Sequence, residues 1–189
     1  MITWEEYLVE SEKTAVYYQW ASDGVTRDVI KAVYPVLGLV GELAELREKI
    51  IDYADVKEIQ KEISDCAWYL ADISRIYQIE LLLPDEEEIY GIQSEDIPIF
   101  GTMNHILGTA SDMCNISKKI IRDSDGFITF DHSQKIAVNL QNTFEWIVYL
   151  CYYFAGYEDR PFEYILQMNL DKLFDRQERG MLKGDGDNR

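Results

Sequence analysis

Two pairs of carboxylates carry the chemistry that this sequence suggests. Glu42 and Glu45 lie three residues apart, and Glu62 and Asp65 repeat that spacing after a gap of sixteen residues. Side chains three residues apart project from one face of a helix. Two such faces packed together would crowd negative charge around one point, and a divalent cation would offset that charge. The spacing therefore predicts a site for Mg²⁺, with Mn²⁺ as the alternative, between two helices.

The helices that must position these carboxylates are predicted from the period of their apolar residues. Leu39, Leu43, Leu46 and Ile50 recur every three or four positions in a helix introduced by Pro35, and a second such stripe runs through residues 56–79. Further helices are expected at about 3–20, opened by a capping box of Thr3 and Glu6, and at 102–122, 132–155 and 161–178. No segment alternates apolar and polar residues as a half-buried strand does. We therefore predict an all-α bundle of five to six main helices in a single domain over residues 1–189.

The charge balance bounds the class of partner. The chain has 35 acidic and 18 basic residues in 189, giving a net charge of −17. Nucleic acids and anionic membranes are bound by clustered Lys and Arg, so neither is expected as a partner. A nucleotide is still allowed, because a metal ion and a few local cations can bridge its phosphates.

Compartment and membrane topology are bounded by the apolar runs and the cysteines. The longest apolar run, residues 146–157, is shorter than the ~20 residues that span a bilayer. The N-terminus lacks the apolar core of a signal peptide. Cys66, Cys114 and Cys151 are expected to be free, small buried side chains. These features favour a cytoplasmic protein.

The second half of the chain repeats the first in a degraded form. Residues 36–51 align with 106–121 at an offset of 70, and Leu-Gly and Lys-Ile-Ile recur in both. The following helix aligns at an offset of 77. At the four carboxylate positions the second copy has Asp112, Asn115, Asn139 and Asn142. An amide lacks the charge that holds a hard cation, so we expect one metal centre per chain. The alternative is that two helix pairs share spacing without duplication.

The order of these motifs resembles a known superfamily. Gly41-Glu-Leu-Ala-Glu45 followed by Glu62-Ile-Ser-Asp65 is similar to the ExxE, spacer and ExxD of the MazG-like all-α nucleoside triphosphate pyrophosphohydrolases. The segments Trp4-Glu-Glu-Tyr7 and 169–176 are similar too, so the match covers residues 1–79 and 160–189. The inserted second helix pair, about 102–155, departs from that pattern. The dimeric dUTPase branch of the superfamily also has internally duplicated helical units.

The resemblance implies hydrolysis of a nucleoside triphosphate to a monophosphate and pyrophosphate, for nucleotide-pool sanitation or control. It implies that the four carboxylates bind Mg²⁺, and we expect Glu45 also to orient the attacking water. The expected substrate-binding residues are Lys49, Tyr69, Asn169, Lys172, Arg176 and Arg189. For some of these residues a structural role is the alternative to substrate binding: an ion pair of Lys49 with Glu45, a core position for Tyr69, and surface positions for Lys172 and Arg176.

A second class of function competes with the enzyme. A non-catalytic helical module that binds a nucleotide or a protein would keep the carboxylates as a vestigial acidic site. Homodimerisation is a further expectation, because the aromatic-rich helix at 132–155 should bury a large interface, either inside the chain or between subunits.

Overall fold

The computed structural model describes residues 2–85, 87–89, 98–154 and 161–181. Within these ranges the regular structure is helical, without strands, which confirms the predicted all-α class. The main elements are α1 (Trp4–Glu12), a 3-10 helix (Tyr17–Trp20), α2 (Gly24–Ile51), α3 (Val56–Tyr77), α4 (Ile99–Ser124), α5 (Phe130–Tyr153) and α6 (Pro161–Glu178).

Side-chain caps explain where several helices begin. The predicted capping box is present at α1, where Thr3 accepts from the N–H of Glu6 at 3.2 Å and Glu6 accepts from the N–H of Thr3 at 2.9 Å. Asp23 opens α2 by accepting from the N–H of Thr26 at 2.8 Å. Asp55 opens α3 in the same way, through the N–H of Lys57. These caps satisfy backbone donors that have no partner within the helix.

Two predicted boundaries are wrong. The first helix ends at Glu12 rather than near residue 20, because the hydroxyl of Thr14 donates to the carbonyl of Ser11 at 2.7 Å and its oxygen accepts from Trp68 Nε1. Helix α2 starts at Gly24, so Pro35 lies inside it instead of introducing it. An internal proline costs about 3 kcal/mol. The buried neighbours of Pro35, Ala32 and Val36, show that tertiary packing holds this stretch of α2 in place.

Four long helices form a closed arrangement around the core. Helix α2 packs against α3 and α4, and α5 packs against the same two helices. Helices α1 and α6 cover α3 and contact each other, and α6 also touches α5. The helices that correspond in the predicted repeat, α2 with α4 and α3 with α5, are therefore neighbours. A pseudo-twofold axis would produce this arrangement, and the duplication itself stays a prediction.

The interior is apolar and aromatic. Its largest fully buried side chains include Tyr7, Tyr77, Phe144, Leu39, Leu43 and Met103. The aromatic-rich helix α5 contributes Phe144, Ile147 and Cys151 to this core. The three cysteines are free thiols, with Cys66 and Cys151 buried. Every helix in the described part of the chain is too short or too polar to cross a bilayer.

Candidate functional site

The structure brings three of the four predicted carboxylates together. Glu42 on α2 and Glu62 and Asp65 on α3 each place one carboxylate oxygen within 4.8 Å of the others. We call these three residues the acidic cluster. Glu62 is only 4% exposed, whereas Glu42 and Asp65 are partly exposed. The cluster therefore has a buried floor and a side that solvent can reach.

Apolar stripes on the two helices explain why the carboxylates meet. Leu39, Leu43 and Leu46 of α2 are fully buried, as are Ile63 and Cys66 of α3. Helix α2 packs along α3 through these stripes, and the carboxylates border them one position away. Packing of the apolar faces thus carries the acidic side chains to the same seam.

The electrostatics of the cluster are unfavourable. Burial raises the pKa of Glu42 to about 8, and the charges of Asp65, Glu45 and Glu62 add to that rise. Lys172 acts in the opposite direction. Charge repulsion among carboxylates in a partly buried seam costs free energy at neutral pH. A hard divalent cation with oxygen ligands would relieve this repulsion, so the donor set fits Mg²⁺.

Glu45 lies at the edge of this site. Its side chain is exposed, yet its charge contributes to the raised pKa of Glu42. Lys49, one turn further along α2, is paired with Glu58 at 3.4 Å, and Glu58 also accepts from Lys61 at 2.8 Å. The alternative pairing of Lys49 with Glu45 is thus not the one the structure records. Lys49 remains partly exposed, and its contact to substrate stays a prediction.

Helix α6 contributes a cation and an amide to Asp65. Nζ of Lys172 lies 2.5 Å from Oδ1 and 2.6 Å from Oδ2 of Asp65. Nδ2 of Asn169 donates to the same Oδ1 at 2.9 Å. Asn169 is 0% exposed, and its Oδ1 accepts from the hydroxyl of the fully buried Tyr7 at 2.7 Å. Asn169 is thus a buried hydrogen-bond donor to Asp65, and its contact to substrate stays a prediction.

Tyr69 lies against α2 beside the acidic cluster. A Cβ on Gly38 would lie 2.1 Å from Cε1 of the Tyr69 ring, so only glycine allows this close approach. Tyr69 also contacts the rings of Tyr34 and Trp68, with centroids 6.4 and 4.9 Å away. Burial raises the pKa of Tyr69, and the charges of Glu42 and Asp65 contribute to the rise. Tyr69 is partly buried and forms an aromatic border to the site.

The other predicted site residues lie in different surroundings. Arg176 is 5% exposed, so most of its side chain is enclosed by the protein. Arg189 lies outside the described residues. Trp4 and Tyr7, the ends of the N-terminal motif, are core residues whose ring centroids lie 5.8 Å apart in a stacked arrangement.

Sequence reasoning missed the residues that support the site from within. The hydroxyl of Tyr7 holds Asn169, and Ser64 lies 3.4 Å from the same amide. A second buried network joins Asp72 to Arg75 at 2.9 Å and to the hydroxyl of Tyr17 at 2.6 Å. The three-residue spacing of Asp72 and Arg75 on α3 was the available signal for the second network. The first joins residues 162 positions apart, and spacing along the chain carries no signal for it.

Comparison with known proteins identifies one relative. No family model matches the chain, and no solved structure matches it. Over 84 residues the chain is 34% identical to the Gene 37 protein of Mycobacterium phage L5, a match that covers 44% of this chain and 70% of that protein. The chain therefore belongs to the same family as the Gene 37 protein of Mycobacterium phage L5.

Proposed function

We propose that this protein is a Mg²⁺-dependent nucleoside triphosphate pyrophosphohydrolase that releases pyrophosphate from a nucleotide or deoxynucleotide. The observation that carries the proposal is the acidic cluster, whose three carboxylates from two helices lie within 4.8 Å of one another on a partly exposed seam. The resemblance of the paired carboxylate motifs and of residues 169–176 to the MazG-like superfamily supports the same activity.

The residues of the cluster have distinct roles in this proposal. Glu42, Glu62 and Asp65 would hold the cation, with the buried Glu62 as the least mobile ligand. Bound Mg²⁺ would neutralise phosphate charge and lower the pKa of a bound water. Glu45, exposed at the edge, would accept a hydrogen bond from the attacking water and orient it.

The phosphates of the substrate would bind at the exposed side of the acidic cluster, next to Lys172. Its ammonium lies at the acidic cluster with 20% of the side chain exposed, so it can reach both a carboxylate and an incoming anion. Tyr69 offers a ring beside the cluster for a sugar or a base. Arg176 is better suited to supporting α6 than to contacting phosphate directly, because it is almost fully buried.

A nucleotide panel tests the activity. Purified protein with Mg²⁺ should release pyrophosphate from at least one of the ribo- and deoxyribonucleoside triphosphates, and chelation of the metal should stop the release. Release of orthophosphate would indicate a different bond cleavage. The proposal fails if none of the panel yields pyrophosphate.

The competing function is a non-catalytic module, and the Lys172–Asp65 ion pair favours it to some extent because it already neutralises one carboxylate. Titration calorimetry separates the two functions. The enzyme should bind a non-hydrolysable triphosphate more tightly when Mg²⁺ is present. A module with a vestigial acidic site should bind its ligand equally well with and without the metal.

A further inference from the structure

The carboxylate of Asp65 is fully engaged by neighbouring side chains. Lys172 bridges its two oxygens at 2.5 and 2.6 Å, and Asn169 adds a third contact at 2.9 Å to Oδ1. These two partners differ in burial. Asn169 is 0% exposed and held by Tyr7, whereas the Lys172 side chain is partly exposed.

A divalent cation and the Lys172 ammonium compete for the same oxygens. The Lys172 ammonium contacts the Asp65 carboxylate, and this carboxylate has an oxygen within 4.8 Å of carboxylate oxygens of Glu42 and Glu62. Two cations on one carboxylate repel each other strongly at such distances. The four-carbon stem of lysine lets the ammonium move without moving the helix.

We propose that Lys172 is an exchangeable counter-ion, which neutralises Asp65 in the free protein and moves to a phosphate oxygen of the substrate when a divalent cation binds the acidic cluster. This inference rests on the proposed function, since it requires the cluster to bind a metal. Asn169 stays in place during the exchange and keeps Asp65 oriented. Metal and nucleotide then strengthen each other's binding, because the ammonium displaced by one becomes a ligand for the other, and such coupling is reciprocal.

Substitution of Lys172 by Met tests the exchange, since Met keeps most of the stem and removes the charge. The variant should bind Mg²⁺ alone about tenfold more tightly than the native protein and a non-hydrolysable triphosphate about tenfold more weakly. Both affinities are measured by calorimetry at a pH above the Glu42 pKa of about 8, so that protons compete little for the carboxylates. Lys135→Met, which removes an exposed ammonium paired with Asp131, is the matched control and should change neither affinity.

The outcomes separate the exchange from the enzyme. Weaker or unchanged Mg²⁺ binding by Lys172→Met, with clear binding by the native protein, overturns the exchange and leaves the metal site standing. Absence of Mg²⁺ binding by both proteins overturns the exchange and the proposed function together. Tighter Mg²⁺ binding together with weaker triphosphate binding supports the exchange even if turnover is lost.

A separate cavity carries a second inference. About 410 Å³ of space lies between α1, α2, α3 and the turn after α4, and none of the acidic cluster lines it. Its size falls within the range of small-molecule sites. The Asp72–Arg75 ion pair forms part of its wall, and Arg75 is further fixed by the carbonyl of Leu8 and the hydroxyl of Ser11.

Two charged side chains at this cavity stay apart although their spacing would allow them to pair. Asp28 and Lys31 lie three residues apart on α2, yet within the described ranges neither has an ion-pair partner. Nζ of Lys31 instead lies 4.5 Å from the ring centroid of Tyr18. A hydrogen-bond acceptor and a donor are therefore presented side by side to the cavity.

An exposed aromatic ring borders the same cavity. Phe127 is 59% exposed, and it follows Gly126, where glycine is needed because φ is +88° and an added Cβ would lie 3.0 Å from the backbone of Val29. The turn is thus fixed against α2. The exposed Phe127 ring beside an adjacent donor and acceptor matches a planar heterocycle with a polar edge, and the excess of carboxylates around the cavity disfavours a phosphate.

We infer that this cavity binds the base of an uncharged nucleoside, with Phe127 stacking on the ring and Asp28 and Lys31 contacting its edge. The test is titration of uridine, cytidine, adenosine and guanosine into the protein without Mg²⁺, followed by NMR. Phe127→Ala should weaken binding about tenfold. The control Phe130→Ala removes a 76% exposed ring that does not line the cavity, and should leave binding unchanged. Equal losses in both variants, or no nucleoside binding, would overturn the inference.

Discussion

Helices α2–α3 and helices α4–α5 show the same spacing put to two uses. At the seam of α2 and α3, carboxylates from both helices are pooled, and Lys172 from a third helix balances part of the charge. At the seam of α4 and α5, side chains of the two helices pair directly: His105 Nε2 lies 3.0 Å from Oδ1 of Asn142, and the hydroxyls of Thr109 and Thr143 lie 2.8 Å apart. One seam is satisfied by its own two helices, and the other requires an outside cation.

The glycines of the two pairs differ in the same sense. Gly38 is needed because the Tyr69 ring lies where its Cβ would be, whereas a Cβ on the corresponding Gly108 would meet nothing within 4 Å. The corresponding positions of the two helix pairs thus share a place in the helix but not the contacts around it.

The largest difference is expected in catalysis. Glu62→Gln should lower the rate of pyrophosphate release more than about 100-fold. Substitution of a residue that only supports a metal ligand costs about 10–100-fold, and loss of the ligand itself should cost more. Asp112 is exposed and lies at the position corresponding to Glu42, so Asp112→Asn should leave the rate unchanged. Rates are compared at saturating Mg²⁺, with circular dichroism to verify the fold. Equal losses would mean that the two helix pairs do not differ in this way.

Alanine at the two glycines should have opposite effects on stability. Gly38→Ala is expected to lower the free energy of unfolding by about 2 kcal/mol, because its Cβ would overlap the Tyr69 ring. Gly108→Ala should raise it by up to about 1 kcal/mol, because alanine favours a helix where space is open. Urea unfolding measures both. Destabilisation of similar size at both positions would contradict the structural difference between the pairs.

The pH dependence of stability should follow Glu42. Its folded pKa of about 8 lies above the ordinary 4.5, so its contribution to stability is complete below pH 4.5 and is lost as the pH rises through 8. Glu42→Gln should remove about 2 kcal/mol of this decline, a value reduced for solvent screening. Asp112→Asn is the control. Unfolding curves across this range that decline equally in native protein and Glu42→Gln would rule out the effect.

The smallest effects are expected behind the two seams. Tyr7→Phe leaves the buried carbonyl oxygen of Asn169 without its donor, and should lower the free energy of unfolding by about 1 kcal/mol. His105→Ala removes an exposed hydrogen bond to Asn142, and should cost less than about 0.5 kcal/mol. Thermal unfolding of the two variants gives the comparison. A larger loss of stability in His105→Ala than in Tyr7→Phe would contradict the expectation that the buried support behind α2 and α3 contributes more free energy.

Prediction from sequence succeeded where the deciding interactions were local. The helical class and the capping box at Thr3 follow from spacing along the chain, which also places the carboxylates beside the apolar stripes of α2 and α3. It failed at Pro35, because the packing of α2 outweighs the free-energy cost of a proline inside a helix. It also failed at the end of α1, where the hydroxyl of Thr14 forms hydrogen bonds with Ser11 and Trp68. Local preference is a weak guide where distant residues contribute more free energy.

The sequence by itself determined which side chains could carry chemistry, because a three-residue spacing places Glu62 and Asp65 on one face of any helix. Only the tertiary structure decided what surrounds them. Asn169 became a support for Asp65, and Lys172 became its counter-ion, through contacts that span more than a hundred residues. Helical periodicity is a property of neighbouring residues, whereas the burial and charge around a carboxylate depend on which helices pack over it.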